Sequence, residues 1–472
     1  MIPVTIFSGR DVAVLGLGLS GIASARALEA GGANVFAWDD KENGRADALA
    51  AGLALTDLSS ADWSRFAALV LAPGIPLTHP KPHWAVKKAR EAGIEVIGDI
   101  ELFFRERAKH KAPGKVVVIT GTNGKSTTTA LTAHLLEAAG KRVALGGNIG
   151  KAVLDLEPFA PDLTYVIELS SFQIDLAPSV APDAAALLNI TPDHLDRHGT
   201  LENYARIKAQ VFTKLGPGAT AVVGVDDEPS RAVADALKGP FAVKRVAVGR
   251  PVKTGVWADQ GVLHETEDGK ELAQVDLAGI GSLRGAHNWQ NAAFADALAR
   301  SQGLSATAIS QGLQSFAGLS HRMEQVAKRG KVLFVNDSKA TNADAAGKAL
   351  ASFTDIYWII GGRPKEGGLA GLEPFFPRIV RAYLIGEAAD AFARQLGSAV
   401  AHIYCGTLDQ AVATATADAG RSSAEEPVVL LSPACASYDQ FANFEKRGEA
   451  FRAIVMSLDG AESVRPKQGQ AA

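Results

Sequence analysis

Short apolar runs recur along this chain, and most are followed by a glycine-rich turn and then a segment with apolar positions at helical spacing. In the first stretch, Val12–Leu17, Asn34–Trp38, Ala68–Leu71 and Val96–Ile97 read as strands. Val116–Thr120, Arg142–Leu145, Tyr165–Leu169 and Ala185–Ile190 follow; Val332–Val335, Ile356–Ile360, Ala382–Ile385, His402–Tyr404 and Val428–Leu431 close the series. Ser126–Ala139, Leu201–Leu215 and Asn291–Ser301 carry the helical period. Strands buried on both faces give unbroken apolar runs, so the alternation of run and helix predicts an α/β protein with mostly parallel sheets.

Two breaks divide the pattern. Arg105–Lys115 is polar and charged and holds Pro113 and Gly114, and Gly318–Arg322 precedes a new strand series. The predicted domains are 1–112, 113–320 and 321–472, which agrees with the roughly 150 residues of an ordinary domain. The polar tail after Ser463 is expected to fray.

Composition narrows the function classes. Lys plus Arg is 48 against 51 for Asp plus Glu, a net charge of −3, so the chain has no basic excess for nucleic acid. With 47% hydrophobic and 21% charged residues it can fill several cores. Its two cysteines, Cys405 and Cys435, cannot staple so long a chain and suit a reducing compartment. Met1–Arg10 lacks the pattern of a signal peptide, and no apolar run approaches the ~18 residues of a membrane span. The expectation is a soluble, cytoplasmic, multidomain protein.

Chemistry enters with the glycines. Gly16-Leu17-Gly18-Leu19-Ser20-Gly21 follows a strand and opens a helix, and Asp39 closes the next strand. That is the layout for a diphosphate at a helix N-terminus with a carboxylate on a ribose hydroxyl; alone it suggests a nicotinamide enzyme. A plain strand–helix turn would look the same. The second cluster, Gly121-Thr122-Asn123-Gly124-Lys125-Ser126-Thr127, runs from a strand into a threonine-rich helix. Its backbone N–H groups and Lys125 would cradle ATP phosphates, and Ser126 would reach Mg²⁺. It is shorter than the full phosphate-loop pattern, since Ile119 stands at the first glycine position. An oxidoreductase has no need of it, whereas an ATP-driven enzyme with a nucleotide-linked substrate uses both loops.

Further candidates sit at strand ends. Glu168 is placed to meet a hard cation, and His194 lies among Asp193 and Asp196 at the same edge. Lys208 falls beside the apolar stripe of its helix, where pattern alone reads it as a snorkelling stem.

Taken together, GTNGKS, ELSSFQ (168–173), NITPDHLDRH (189–198), GAHNWQN (285–291), NDSKATN (336–342) and SPACASYDQFANFEKRG (432–448) resemble the Mur ligases of peptidoglycan synthesis, in order and over nearly the whole chain. The last two motifs are most similar to the D-glutamate-adding members. The resemblance implies a Rossmann-like N-terminal domain, a central ATPase domain and a Rossmann-like C-terminal domain. It implies a monomeric ligase that joins D-glutamate to UDP-N-acetylmuramoyl-L-alanine through an acyl phosphate, with ATP and two Mg²⁺ as cofactors.

By position, Lys125 and Ser126 would hold phosphates, and Glu168 and His194 would hold Mg²⁺. Lys208 falls where the family carries a carbamylated lysine, another metal ligand, which displaces the snorkelling reading. Asn291 resembles the adenine contact, with Arg322 and Asp337 at the γ-phosphate and ribose. Leu19, Ser20, Asp39 and Gly74 resemble the uracil-nucleotide site, and Asn148 and His194 the sugar-peptide end. Thr341, Lys365, Ser432 and Phe441 resemble the D-glutamate pocket, with Lys339 a further catalytic candidate. The loop Gly361–Gly368 departs from the family where Gly368 replaces a common Asp, which bears on loop shape more than on Lys365. The remaining alternatives are a related ligase for another amino acid or for folate, a nicotinamide oxidoreductase, and a nucleotide-binding regulator without turnover.

Overall fold

The computed structural model describes residues 1–365 and 367–464. Glu366 of the departing loop and the tail from 465 onward lie outside the described residues.

Three sheets organise the chain. The first has the order β2-β1-β3-β4, with β1 (Asp11–Leu15), β2 (Asn34–Trp38), β3 (Ala68–Leu71) and β4 (Glu95–Ile97) all parallel. The second comprises β5 (Lys115–Thr120), β6 (Arg142–Gly147), β7 (Leu163–Glu168), β8 (Ala184–Leu187), β9 (Thr220–Gly224) and β10 (Ala242–Val248), continued by β11 (Gly255–Asp259), β12 (Val262–Glu267) and β13 (Lys270–Asp276). Its order is β13-β12-β11-β10-β9-β8-β5-β7-β6; the β11–β12 and β12–β13 pairs are antiparallel and the other pairs parallel. The third contains β14 (Glu324–Arg329), β15 (Val332–Asn336), β16 (Ile356–Gly361), β17 (Ile379–Ile385), β18 (His402–Gly406), β19 (Val428–Leu431) and β20 (Ala461–Ser463). Its order is β18-β17-β16-β19-β15-β14-β20, with a parallel body and β14 antiparallel to both neighbours.

Several of the strands predicted from apolar runs are buried throughout: every residue of β7, β8, β16 and β19 is buried, whereas the predicted β2, β6 and β18 are largely half-buried or exposed. The edge of the second sheet escapes that prediction because it alternates or is charged. β12 is mostly half-exposed and β13 mostly exposed, and the turn between them sets Asp268 and Gly269 at φ 50° and 82°.

The chain forms two compact units. One contains Met1–Asp276 and Trp289–Leu313; the other contains Leu277–Asn288 and the chain from Gln314. The first two sheets share a unit because helix α1 (Asp99–Arg107), which follows β4, is buried along most of its length. Ile100, Leu102, Phe103 and Phe104 belong to one apolar core with Val12 and Val14 of the first sheet and Val116 and Tyr165 of the second. Glu106 holds Thr5 through its N–H and hydroxyl at 2.7 and 2.8 Å, and Glu101 accepts the Ser179 N–H at 2.7 Å. Among the described residues no helix is long and apolar enough to cross a membrane.

Candidate functional site

The phosphate loop leaves β5 at Thr120 and enters helix α2 (Lys125–Ala138). Gly124, at the helix start, has φ 83°, and a Cβ there would lie 2.4 Å from Asn291 Oδ1. Glycine is therefore demanded by backbone and by space. Asn291 Oδ1 also accepts the Thr128 hydroxyl at 3.2 Å, so the predicted adenine contact stands against the loop. Lys125 Nζ donates to the loop's own Gly121 and Thr122 carbonyls at 3.0 and 2.8 Å. Asn189, at the end of the segment after β8, clips the loop: its Oδ1 accepts the Asn123 N–H at 2.8 Å and its Nδ2 donates to the Asn123 carbonyl at 3.2 Å. Asn189 lies inside a motif visible in the sequence, but nothing local marks it as a clip.

Glu168 ends β7 and is 1% exposed. Its Oε1 accepts the Asn148 amide at 2.7 Å, whereas Oε2 is buried without a hydrogen-bond partner. An anionic oxygen so placed is costly unless a cation completes it, which fits Mg²⁺. Lys208 is 1% exposed, and its amine donates to the Gly121 carbonyl at 2.9 Å and the Thr120 hydroxyl at 3.3 Å. The snorkelling stem is thus corrected, because the amine ends at the phosphate loop and not in water. The predicted helix is also shorter: helix α3 spans Leu201–Ala209, and the chain tightens over Gln210–Phe212. Burial pushes the Lys208 amine well below its ordinary pKa, and the Lys125 cation adds to this; Asp193 and Glu168 oppose it.

His194 lies at the N-terminal edge of a short helix with φ 52°, its ring about half exposed and 3.3 Å from Asp193. The buried histidine is instead His198, whose Nε2 meets the Ser171 hydroxyl at 2.9 Å. Desolvation holds it at about 4 and therefore neutral. Among the described residues, no three His, Cys, Asp or Glu side chains converge on one cation position, so a metal here needs other oxygen donors.

In the first glycine loop, Gly16 has φ 89°, and a Cβ at Gly21 would sit 1.8 Å from the Gly16 carbonyl. Gly18 faces open space, and Leu19 is 83% exposed beside it. Asp39 accepts the Leu17 N–H at 2.6 Å and the Lys41 N–H at 2.8 Å. The carboxylate expected to face a ribose therefore also fixes the loop.

In the second unit, Asp337 follows β15 and is buried, accepting the Ser432 hydroxyl at 2.8 Å and the Met323 N–H at 3.2 Å. Desolvation raises its pKa to about 7 against the pull of those bonds and of Arg322 and Lys348. Lys365 reaches the Thr341 hydroxyl at 3.4 Å, Phe441 is half-buried, and Lys339 Nζ stands 3.9 Å over the Phe444 ring. Arg447, missed from sequence, is buried and ties Ser338 to the Cys435 and Ala436 carbonyls.

Three family models match in succession: Mur ligase MurD-like, N-terminal domain, over 10–98; Mur ligase middle domain over 119–299; and Mur ligase, glutamate ligase domain, over 321–435. The UDP-N-acetylmuramoylalanine--D-glutamate ligase of Rhizobium meliloti (strain 1021) is 56% identical over 461 residues, 98% of this chain and 99% of that one. The ligase of the same name from Brucella suis biovar 1 (strain 1330) is 56% identical over the whole of both chains. Among solved structures, the UDP-N-acetylmuramate-alanine ligase MurC of Thermotoga maritima covers 95% of this chain and 99% of its own at TM-score 0.58 and 18% identity, a likeness of fold.

Proposed function

The chain belongs to the Mur ligase family, and from that membership we propose that it joins D-glutamate to UDP-N-acetylmuramoyl-L-alanine at the expense of ATP in peptidoglycan precursor synthesis. The observation that carries this is end-to-end identity of 56% to ligases of that name, over a chain whose phosphate loop, buried carboxylate and buried lysine meet at one place.

The chemistry suits these residues. A carboxylate is a poor electrophile, so its oxygen first attacks the γ-phosphorus of ATP, and ADP departs. The D-glutamate amine then attacks the acyl carbon, and phosphate leaves the tetrahedral intermediate as the amide forms. Gly121–Ser126 and Thr127 would cradle the phosphates, with Asn291 at the base and Arg322 and Asp337 at the γ-phosphate and ribose. Mg²⁺ bound there would neutralise the crowded phosphate oxygens. Ser126, Glu168, His194 and Lys208 would hold it, and the unpartnered Glu168 oxygen supports that assignment. Lys208 qualifies after reacting with CO₂: its neutral nitrogen attacks the carbon, a proton is lost, and a carbamate oxygen replaces a cation. Leu19, Ser20, Asp39 and Gly74 would take the UDP end, and Asn148 the sugar-peptide. Thr341, Lys365, Ser432 and Phe441 would take D-glutamate, with Lys339 neutralising developing charge. We assign the three roles to 1–112, 113–320 and 321–472 of a cytoplasmic monomer.

The test measures phosphate release from ATP with UDP-N-acetylmuramoyl-L-alanine and each candidate amino acid in turn. D-glutamate should be required. Equal or greater release with another amino acid would replace the acceptor assignment, and none with any would sink the ligase reading.

A further inference from the structure

Arg197 has no part in the reaction above, although it sits three residues after His194. Its guanidinium donates to three successive carbonyls of the loop after β3: Nη1 to Gly74 at 2.9 Å, and Nη2 to Ile75 at 3.0 Å and Pro73 at 3.4 Å. That loop abuts the first glycine loop, because a Cβ at Gly16 would lie 2.7 Å from Ile75 Cδ1. The other side of the guanidinium is 4.5 Å from the Phe172 ring centre, and Phe172 stacks on His198 at 5.3 Å. His198 in turn holds Ser171, three residues beyond Glu168. A small cavity of about 10 Å³ lies among Arg197, Phe172 and residues of the 73–78 loop.

We propose that Arg197 is a positioning residue that fixes the separation between the nucleotide loop of the first sheet and the carboxylate-activating site of the second, and so sets the length of nucleotide-linked substrate the enzyme accepts. Guanidinium suits this function because its rigid fork serves adjacent carbonyls while its face packs on an aromatic ring, which lysine cannot reproduce. A substrate anchored at one end reaches the other as a tethered group, so its affinity and alignment depend on the span between the sites. The proposal rests on the ligase reading for the identity of that substrate.

The test is calorimetry and steady-state kinetics on the full chain, wild type against Arg197→Gln and Arg197→Lys, with UDP alone and with UDP-N-acetylmuramoyl-L-alanine. Arg197→Gln should raise the KM for the complete substrate about tenfold and lower kcat, while affinity for UDP alone and KM for ATP stay within about twofold. Arg197→Lys should fall between. Equal weakening of UDP and of the complete substrate would show that Arg197 merely shapes the nucleotide loop, and unchanged values would remove it from the reaction; either overturns the proposal. Should Arg197→Gln fail to fold, Phe172→Leu removes the stacking face and must show the same split. Wild-type enzyme that binds UDP but not the complete substrate would instead overturn the ligase reading.

Discussion

Asp99 opens helix α1 and is 3% exposed, and neither of its carboxylate oxygens has a hydrogen-bond partner in good geometry. The nearby Ile100 N–H and Gln173 amide pull its pKa down, but desolvation outweighs them and raises it from 3.8 to about 6. A carboxyl with a raised folded pKa keeps its proton longer in the native state than in the unfolded chain. Stability is therefore favoured below the unfolded value, falls as pH rises between about 4 and 6, and is lowest above that window. The shift corresponds to a penalty of about 3 kcal/mol at pH 8 and about 1.6 kcal/mol at pH 5. Asp99→Asn removes the ionisation. Its new amide donors add a cost of about 1–3 kcal/mol if unpaired, but that cost does not vary with pH. The diagnostic quantity is thus the slope: the stability of the variant relative to wild type should improve by about 1.4 kcal/mol from pH 5 to pH 8. Urea unfolding followed by tryptophan fluorescence measures it, since five of the six tryptophans (38, 63, 84, 257 and 289) lie in the unit that contains Asp99. A difference that stays flat across this range, or that shrinks as pH rises, would refute the argument.

Lys208→Ala should lose most ligase activity, and acetate should restore part of it by supplying carboxylate oxygens; near-normal activity would make Lys208 a packing residue. Lys125→Ala should abolish ATP turnover while UDP-N-acetylmuramoyl-L-alanine still binds by calorimetry, and loss of both would indicate misfolding. Burial pushes the Asp337 pKa up to about 7, and the carboxylate would hold a ribose hydroxyl better than the acid in the proposed ribose role, so KM for ATP should fall severalfold from pH 6 to pH 8 in wild type but not in Asp337→Asn. Cys405 and Cys435 are buried free thiols with pKa values pushed up, Cys435 to about 12, so a disulfide reagent at pH 8 should label neither until the chain is unfolded.

What could be read from sequence depends on how local each signal is. Ala68–Leu71 and Val428–Leu431 match the observed strands to the residue because two buried faces leave an unbroken apolar run; Asn34–Trp38 also matches to the residue, although only its Ala37 is buried. β12 and β13 are invisible to that criterion, since their register comes from a tight turn and charged cross-strand neighbours. The phosphate loop is legible because its glycines and Lys125 are contiguous, and Glu168 because strand ends face the ligand edge. Lys208 is not, since helical spacing shows that it borders the apolar stripe, but not that β5 and the loop close over its amine. Asn189 and Arg197 depend on partners 66 and more than 120 residues away, and no local pattern announces them. Asp39 stands out in the sequence, but its inward bond to Leu17 depends on how the glycine loop turns.

Desolvation connects the destabilising residue with the useful one. At Asp99 it outweighs the nearby Ile100 N–H and Gln173 amide and disfavours the charged form, and the outcome is a pH-dependent cost. At Lys208 the same physics lowers the pKa and favours the neutral amine, the form in which its nitrogen would attack CO₂ in the proposed carbamylation. Lys125 reinforces this on both sides of the proposed modification: its cation repels the Lys208 ammonium and attracts the carbamate anion that follows. The Tyr204 ring, 4.7 Å from the amine, works the other way, since an aromatic face favours the charged form. Hydrogen bonding also changes. The amine donates to the Gly121 carbonyl and the Thr120 hydroxyl, whereas a carbamate nitrogen keeps a single N–H. One of the two bonds must therefore break on modification. The carboxylate of the carbamate, bonded to the Lys208 nitrogen, would face away from carbonyl oxygens, which repel it, and toward Lys125 and any cation held by Glu168. The lysine that pattern alone assigned to solvent is thus shifted by burial and by a neighbouring cation toward the neutral form that its proposed chemistry requires.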